Sequence, residues 1–254
     1  QNGKLGGEQL TFTTFPVFGS ATSHSADRRV TDSSAAGTAI STGTKTNNKM
    51  LGMDPDGNKL TSMSYNLQDD GYNVGIISSV GINHATPASF YARNASRYTY
   101  YDIAAEIPSS GFEYFAGSGI IEYFGKKEDK KGMAEVLEEK GVNVCFSKEE
   151  AKEAIRNDET ILLCQPYNKD KEPSNYEAGT VMKDGHIYLS EMLELGLEKL
   201  GTKEPFFIMC EGGEIDWAAH SQKTMPTVLS IMEFDKAISR AYEFYKAHPK
   251  ETLI

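Results

Sequence analysis

The sequence is poor in cysteine, and the few cysteines that it has are scattered. Cys145, Cys164 and Cys210 are odd in number and far apart, which argues against a disulfide framework or a cysteine-based metal cluster. Cys164 and Cys210 each end an apolar run that we interpret as a buried strand, so we expect thiols of the core. Such thiols do not indicate a redox compartment.

Basic charge is in the minority. The chain has 26 Lys and Arg against 36 Asp and Glu, a formal net charge of -10. Such a surface offers no general field that would attract a polyanion, so nucleic acid is not an expected partner. Any phosphate that the protein handles must therefore be held by a local site.

Long apolar runs are also missing. The longest, residues 74–77 and 205–210, have the length of strands and fall far below the roughly 20 residues of a membrane-spanning helix. Residues 1–9 are polar and glycine-rich, without the basic start or the apolar stretch of a secretory signal. We therefore expect no membrane span, and a signal segment that is absent or already removed.

Helical patterns alternate with short apolar runs along most of the 254 residues, which is typical of a layered α/β/α domain with a largely parallel central sheet. We expect one domain over residues 1–254, with a surface insertion or lid at the polar residues 165–185 and a further strand beginning at residues 251–254. The predicted helices are 32–43, 60–70, 129–140, 148–156, 188–200 and 226–246, with another beginning at 87–93; the predicted strands are 74–78, 142–146, 160–164 and 205–210.

Three polar side chains with metal-ligand chemistry follow the predicted strand 205–210. In open α/β sheets, ligands bind beyond the carboxyl ends of strands, where Glu211, Asp216 and His220 lie. Asp216 and His220 are four residues apart, so one helical turn would point both at the same divalent ion. The alternative is a helix start with incidental acids and a lone imidazole, because spacings this short recur by chance.

A hydroxyl-rich helix start lies near the amino end. Ser33 follows Asp32 at a predicted helix N-terminus, where free backbone N–H groups favour an incoming anion. A serine hydroxyl there can accept a phosphoryl group if a metal lowers its pKa. The alternative is that Asp32, Ser33 and Ser34 only cap the helix.

The loop after the predicted strand 74–78 carries His84 and Thr86, followed by Arg97. These side chains would lie at the same sheet edge as the other two segments. Arg97 offers a planar fork that matches two phosphate oxygens. Taken singly, each has a simpler explanation: a solvated histidine, a Thr-Pro helix entry and a surface cation.

Together, three segments resemble the alkaline phosphatase family in their order and separation. VTDSSAAGTA at residues 30–39, with STG at 41–43, resembles the nucleophile segment. HATP at 84–87, through Ser96-Arg97, resembles the magnesium and phosphate-arginine segment, and residues 211–220 resemble a metal-binding segment. The resemblance covers most of the chain and is weakest at about residues 112–185.

The resemblance implies a role for each residue of the reaction centre. Ser33 would be the nucleophile that becomes a phosphoserine, Asp32 would orient Arg97, and Arg97 would clamp the non-bridging phosphate oxygens. The reaction implied is metal-dependent hydrolysis of phosphate monoesters. A phosphodiesterase or sulfatase of the same superfamily and a non-catalytic phosphate- or metal-binding module are the alternatives.

The same resemblance implies two Zn²⁺ ions and one Mg²⁺ ion. Asp216 and His220 would ligate the first zinc, and Glu211 and Thr86 would ligate the magnesium. His84 and Trp217 stand where family members differ. A histidine at the first of these positions is expected to reach the third metal through water, and both are expected to lie beside the metals or the substrate.

Compared with the family, the sequence is expected to be incomplete at both ends. No Gly-Asp-Gly-like turn precedes Thr31, and the family's Asp-His pair and further histidine would come after residue 254. We therefore expect an incomplete set of metal ligands, and weak or no activity of this chain beside an active full-length parent.

The partners implied are small phosphate monoesters and inorganic phosphate. The resemblance allows a homodimer. It also implies a periplasmic or secreted protein, because the family usually works outside the cytoplasm.

Overall fold

The computed structural model describes residues 4–5, 8–17, 19–167, 186–201 and 204–254. In chain order its elements are β1 (Lys4–Leu5), β2 (Glu8–Gln9), a 3-10 turn (Thr11–Thr14), α1 (Ser33–Thr42), α2 (Met63–Asp69), β3 (Asn73–Ser78), α3 (Ala85–Ala88), α4 (Tyr100–Ala104), α5 (Ile107–Ser110), β4 (Tyr114–Gly117), α6 (Met133–Glu138), β5 (Val142–Cys145), α7 (Lys148–Arg156), β6 (Thr160–Cys164), α8 (Leu189–Leu200), β7 (Phe206–Glu211), α9 (Glu214–His220) and α10 (Thr224–Ala247).

Five of the described strands form a parallel sheet in the order β5-β6-β4-β3-β7. β1 and β2 form a separate antiparallel pair. β3 and β7 pair along their full length, from Asn73 opposite Phe206 to Ser78 opposite Glu211. Because all five strands run the same way, the loops that follow them meet at one edge of the sheet.

Two apolar cores cover the two faces of this sheet, which confirms the predicted layered α/β domain. Strand residues alternate between the faces, as the period of two requires. Ile76 and Phe115 pack against α4, α5 and α6 on one face, whereas Ile77 and Tyr114 pack against α7 and α8 on the other. α10 joins the second layer through the buried Ala237.

Several predicted elements have the expected bounds and others do not. The strand Thr160–Cys164 and the helix Lys148–Arg156 agree with the predictions. α2 begins at Met63 instead of residue 60. The helix predicted at 87–93 is instead the single turn Ala85–Ala88, which begins two residues earlier and holds Pro87 in its first turn, where no N–H is needed.

The ends of two other predictions differ as well. Residues 251–254 form a turn and irregular backbone instead of a strand. The predicted helix 129–140 is confined to Met133–Glu138. Of the predicted insertion 165–185, residues 168–185 lie outside the described residues, and 165–167 are irregular.

The cysteines behave as core thiols. Cys145 and Cys164 are buried and Cys210 is partly buried, and all three are free. Burial raises the pKa of each thiol to about 12, so they stay protonated at neutral pH. Among the described helices, none combines the length and the apolar character that crossing a membrane requires.

Candidate active site

The N-terminus of α1 is fixed by Asp32. The Asp32 carboxylate accepts a hydrogen bond from the backbone N–H of Ala35 at 3.0 Å and from the hydroxyl of Ser34. This is an N-cap, which occupies donors that the first helical turn leaves free. Asp32 therefore caps the helix, and Ser34, inside the first turn, donates to the capping carboxylate. Ser33 is the first helical residue and is half-buried.

Arg97 joins Asp32 to His84. Its Nη1 lies 3.3 Å from Oδ2 of Asp32, in an ion pair whose side chains are only 11% and 21% exposed. Its Nη2 lies 3.0 Å from Nε2 of His84. Arginine can only donate, so Nε2 accepts and the proton of the neutral ring belongs on Nδ1. Arg97 is thereby held from two sides.

His84 is buried beside this cation. Burial, and then the charge of Arg97, lower the pKa of His84 to about 4. The ring is therefore neutral at neutral pH, which lets it accept from Arg97. Nδ1 of His84 and Nε of Arg97 are buried without a hydrogen-bond partner in the described part of the chain. These are donors that a ligand can satisfy.

Glu211 ends β7 and is surrounded by hydroxyls. The register places Ser78 opposite Glu211, and the Ser78 hydroxyl donates to Oε2 at 2.6 Å. The Thr86 side chain also hydrogen-bonds to this carboxylate. Burial raises the pKa of Glu211, and the two hydroxyls oppose that rise. A carboxylate and two hydroxyls form a set of oxygen donors, which suits a hard cation such as Mg²⁺.

A close helix contact brings the nucleophile segment to the Thr86 segment. A Cβ placed on Gly37 would lie 2.5 Å from Oγ of Ser89 and 3.3 Å from Cα of Thr86. Only a residue without a side chain allows α1 and α3 to approach this far. The small residues of α1 therefore serve packing, and they place Ser33 and Thr86 on neighbouring elements.

Asp216 and His220 lie on α9, on the exposed side of the same edge. Oδ1 of Asp216 and Nε2 of His220 are 3.4 Å apart, with side chains 59% and 80% exposed. Spacing along one helical face brings them together, as predicted. Between them in sequence, Trp217 packs edge-on against the ring of His84, with centroids 5.5 Å apart. Trp217 thus connects α9 to the buried network.

The exposed helix α9 and the buried network lie close enough for their charges to act on each other. Asp216 raises the pKa of Glu211 and Arg97 lowers it, both more weakly than burial and the hydroxyl bonds act on it. Within the described ranges, no three or more His, Cys, Asp or Glu side chains gather closely enough to hold a metal ion. The ligands predicted from sequence therefore meet as pairs and not as a complete cage.

Two contributors to this network were not predicted. Ser78 was assigned only to a strand, although its register with Glu211 follows from the pairing of β3 and β7. Lys49 contacts Asp32 and Arg97 through its backbone. Motif spacing carries no signal for a contact made by backbone atoms.

The family of the chain follows from comparison with known proteins. The family model described as alkaline phosphatase matches residues 1–124 and 122–254. The chain belongs to the alkaline phosphatase family. The motif resemblance is thereby confirmed over the full length of the sequence.

Relatives of known name agree with this. The chain is 30% identical to alkaline phosphatase 4 of Bacillus subtilis over 243 residues, covering 90% of the chain and 48% of the relative. It is 26% identical to the human tissue-nonspecific isozyme of alkaline phosphatase over 293 residues, covering 97% of the chain and 55% of the relative. The chain thus spans about half the length of these two relatives.

Solved alkaline phosphatases share the fold. The enzyme of the Antarctic bacterium TAB5 matches with a TM-score of 0.77 and 28% identity, over 89% of this chain and 64% of that one. A cold-active alkaline phosphatase from a psychrophilic Shewanella sp. matches with a TM-score of 0.79 and 26% identity, over 96% and 58%. A TAB5 variant with Mg bound in its M3 site matches with a TM-score of 0.74 and 29% identity, over 88% and 62%.

Proposed function

We propose that the protein hydrolyses phosphate monoesters, with Ser33 as nucleophile and Arg97 as the phosphate-binding residue. The observation that carries the proposal is the buried network of Asp32, Arg97 and His84 beside the start of α1. This network places the Arg97 guanidinium beside the N-terminus of α1, which attracts anions, and beside the half-buried hydroxyl of Ser33.

Arg97 retains donors for a phosphoryl group. A guanidinium has five N–H groups, and the bonds to Asp32 and His84 use two of them, which leaves three. One of these, on Nε, is buried without a partner in the described residues. A phosphate monoester has several free terminal oxygens to accept them, whereas a diester has fewer, so the fork favours monoesters.

We propose that Glu211 and Thr86 bind Mg²⁺ and that Asp216 and His220 bind Zn²⁺, within a family site of two Zn²⁺ and one Mg²⁺. The donors fit these ions: buried oxygens at Glu211 for Mg²⁺, and a nitrogen and an oxygen on one helical face for Zn²⁺. When bound, such ions lower the pKa of a hydroxyl nucleophile and stabilise the leaving oxygen.

The residues of this chain would divide the remaining work. Ser33 would attack phosphorus and displace the alcohol of the ester, which leaves with the proton of the serine hydroxyl, and it would carry the phosphoryl group as a phosphoserine until water cleaves that bond and releases inorganic phosphate. Arg97, oriented by Asp32, would hold the non-bridging oxygens throughout. His84 would keep Arg97 in place by accepting from Nη2, and we propose that it reaches the magnesium only through water. Trp217, which packs against His84, would lie beside the metals or the substrate.

The proposal also covers the substrates, the location and the assembly of the protein. We infer that the substrates are small phosphate monoesters with inorganic phosphate as product, that the protein works in the periplasm or outside the cell, and that a homodimer is a candidate assembly. Sedimentation with and without metals tests the last point, because a monomer under both conditions contradicts it.

Hydrolysis of p-nitrophenyl phosphate at alkaline pH with Zn²⁺ and Mg²⁺, measured for the full-length parent and for this chain side by side, tests the reaction. We expect an active parent and weak or no activity of this chain. In the parent, Ser33→Ala should lower kcat/KM by at least about 10³-fold, and the matched change at an exposed serine outside the site, Ser23→Ala, should leave it unchanged. Parallel assays use bis(p-nitrophenyl) phosphate and p-nitrophenyl sulfate. Faster turnover of the diester or the sulfate would overturn the monoester assignment. Binding of phosphate and metal without turnover would favour a binding module.

A further inference from the structure

A turn at residues 47–51 links the nucleophile segment to the Arg97 segment. On one side, Oδ1 of Asn48 accepts from the backbone N–H of Asp32 at 3.1 Å, and Nδ2 of Asn48 donates to the carbonyl of Val30 at 3.1 Å. On the other side, Leu51 and Asn94 exchange backbone hydrogen bonds of 2.9 and 2.8 Å. The turn is therefore fixed to both parts of the site.

Lys49 is the residue of this turn that contacts both charged partners. Its backbone N–H donates to Oδ2 of Asp32 at 3.0 Å. Its carbonyl accepts from the backbone N–H of Arg97 at 2.8 Å. Oδ2 of Asp32 also faces Nη1 of Arg97 at 3.3 Å. Asp32, Lys49 and Arg97 therefore form a closed ring of hydrogen bonds.

The backbone of Lys49 is in an unfavourable conformation. Its φ is 75°, in the left-handed region, which costs free energy for a residue that has a Cβ. Its side chain is exposed, so packing of that side chain does not impose the conformation. The two backbone bonds of the ring hold it, together with the bond of the turn itself, in which the backbone N–H of Met50 donates to the carbonyl of Asn47 at 3.1 Å. Such outliers persist where the surrounding structure determines them, and they cluster at functional sites.

We propose that Lys49 is a positioning residue. Its left-handed backbone fixes the distance and orientation between the Asp32 carboxylate and Arg97, so the guanidinium is preorganised for a tetrahedral oxyanion. The inference rests on the proposed function, because it assigns the ring to phosphate binding. We attribute this orientation of Arg97 to the backbone conformation of residue 49 and not to the charge of its ammonium group.

A series of substitutions at position 49 separates conformation from charge. Lys49→Gly and Lys49→Asn keep access to the left-handed region without the charge. Lys49→Arg keeps the charge, Lys49→Ala keeps an unbranched Cβ and so adds no strain over lysine, and Lys49→Thr and Lys49→Val add strain through their branched Cβ. Glu128, which is also exposed and left-handed at φ 54°, provides matched controls as Glu128→Gly and Glu128→Val.

Affinity for inorganic phosphate, measured by isothermal titration with Zn²⁺ and Mg²⁺ present, is the main readout. We expect the Gly, Asn, Arg and Ala variants to stay within about threefold of wild type, and the β-branched Thr and Val variants to be weaker by roughly 10- to 100-fold, as a misplacement on the ångström scale produces. Neither Glu128 variant should change the affinity. An order that follows charge, with Arg normal and Gly and Asn both weak, would overturn the proposal.

Crystal structures of wild type, Lys49→Thr and Lys49→Gly keep the inference separate from the reaction. We expect the Asp32–Arg97 pair to lengthen or reorient in the β-branched Thr variant and to be unchanged in the Gly variant. If the full-length parent hydrolyses no phosphate ester, the proposed function fails, while this geometry still decides the inference. An unchanged pair in the Thr variant would overturn it, even if Lys49→Val does not fold.

Discussion

The two halves of the candidate site contrast sharply in how they are held. Asp32, Arg97 and His84 are tied to each other at 3.0–3.3 Å with little exposure, and Glu211 is bound by hydroxyls. Asp216 and His220 face each other across 3.4 Å with most of their side chains in solvent. By its low exposure and its internal hydrogen bonds the first half is part of the folded interior, whereas the second is not. The buried half is therefore preorganised for phosphate, and the exposed half depends on its metal for order.

The largest expected effect of a single substitution on stability comes from removing a carboxylate in the buried half. Asp32→Ala removes the cap of α1 and leaves Arg97 without its carboxylate, which should lower the free energy of unfolding by about 3 kcal/mol. Urea denaturation measures it. The same truncation in the exposed half, Asp216→Ala, should change stability by less than about 0.5 kcal/mol. Equal losses of unfolding free energy in the two variants would contradict the difference between the two halves.

The tight contact beneath the buried half gives the next effect. Gly37→Ala places a methyl group 2.5 Å from Oγ of Ser89, and such overpacking costs about 1–3 kcal/mol. Phosphate affinity should fall with it, because α1 and α3 must separate. Gly19→Ala is the control, since its new methyl group meets no atom within 4 Å. A thermal melt in which both variants match wild type would show that this contact is not needed.

A buried thiol of the central sheet should make the stability of the protein depend on pH. Burial raises the pKa of Cys164 from 9.0 to about 12. Above pH 9 the unfolded thiol loses its proton while the folded one keeps it, so stability falls with rising pH by about 1.4 kcal/mol per pH unit between 9 and 12. Below pH 9 this group contributes no slope. Urea midpoints from pH 8 to 11 should fall less steeply for Cys164→Ala, and identical slopes would contradict the burial argument.

Truncation of the exposed zinc ligand should have the smallest effect on stability. Because Asp216 and His220 are exposed, His220→Ala should leave the melting temperature of the metal-free protein nearly unchanged, while zinc affinity falls by roughly tenfold or more. Differential scanning calorimetry of both proteins in EDTA measures the first effect, and competition titration of zinc measures the second. A large loss of stability on His220→Ala in EDTA would place this residue in the folded interior instead.

Several elements of the fold and of the site can be predicted from the sequence. Those that cannot be predicted have physical reasons. Asp32 and Gly43 bound α1 because capping chemistry is local. β4 was not predicted, since a four-residue apolar run has no period that distinguishes strand from helix. The ring through Lys49 was missed because backbone atoms make it.

Helix α10 shows tertiary contacts overriding a hydrophobic pattern. The apolar residues spaced along one side of this helix are only partly buried: Val228, Ile231, Phe234, Ile238 and Tyr242. The most buried positions include Glu233 and Asp235. Asp235 accepts from the backbone of Thr11 and Phe12, and Glu233 accepts from Ser190 at the start of α8. These acids cap neighbouring segments, which no single-helix pattern predicts.

Identification of the phosphorylated residue tests the central claim most directly. The protein with Zn²⁺ and Mg²⁺ is incubated with a phosphate monoester, quenched in acid, digested and analysed by mass spectrometry. The account predicts phosphate on the peptide that contains Ser33, located on Ser33 itself and absent from the Ser33→Ala variant. Turnover without any phosphopeptide, or phosphate on another residue, would contradict the assignment of Ser33 as the nucleophile.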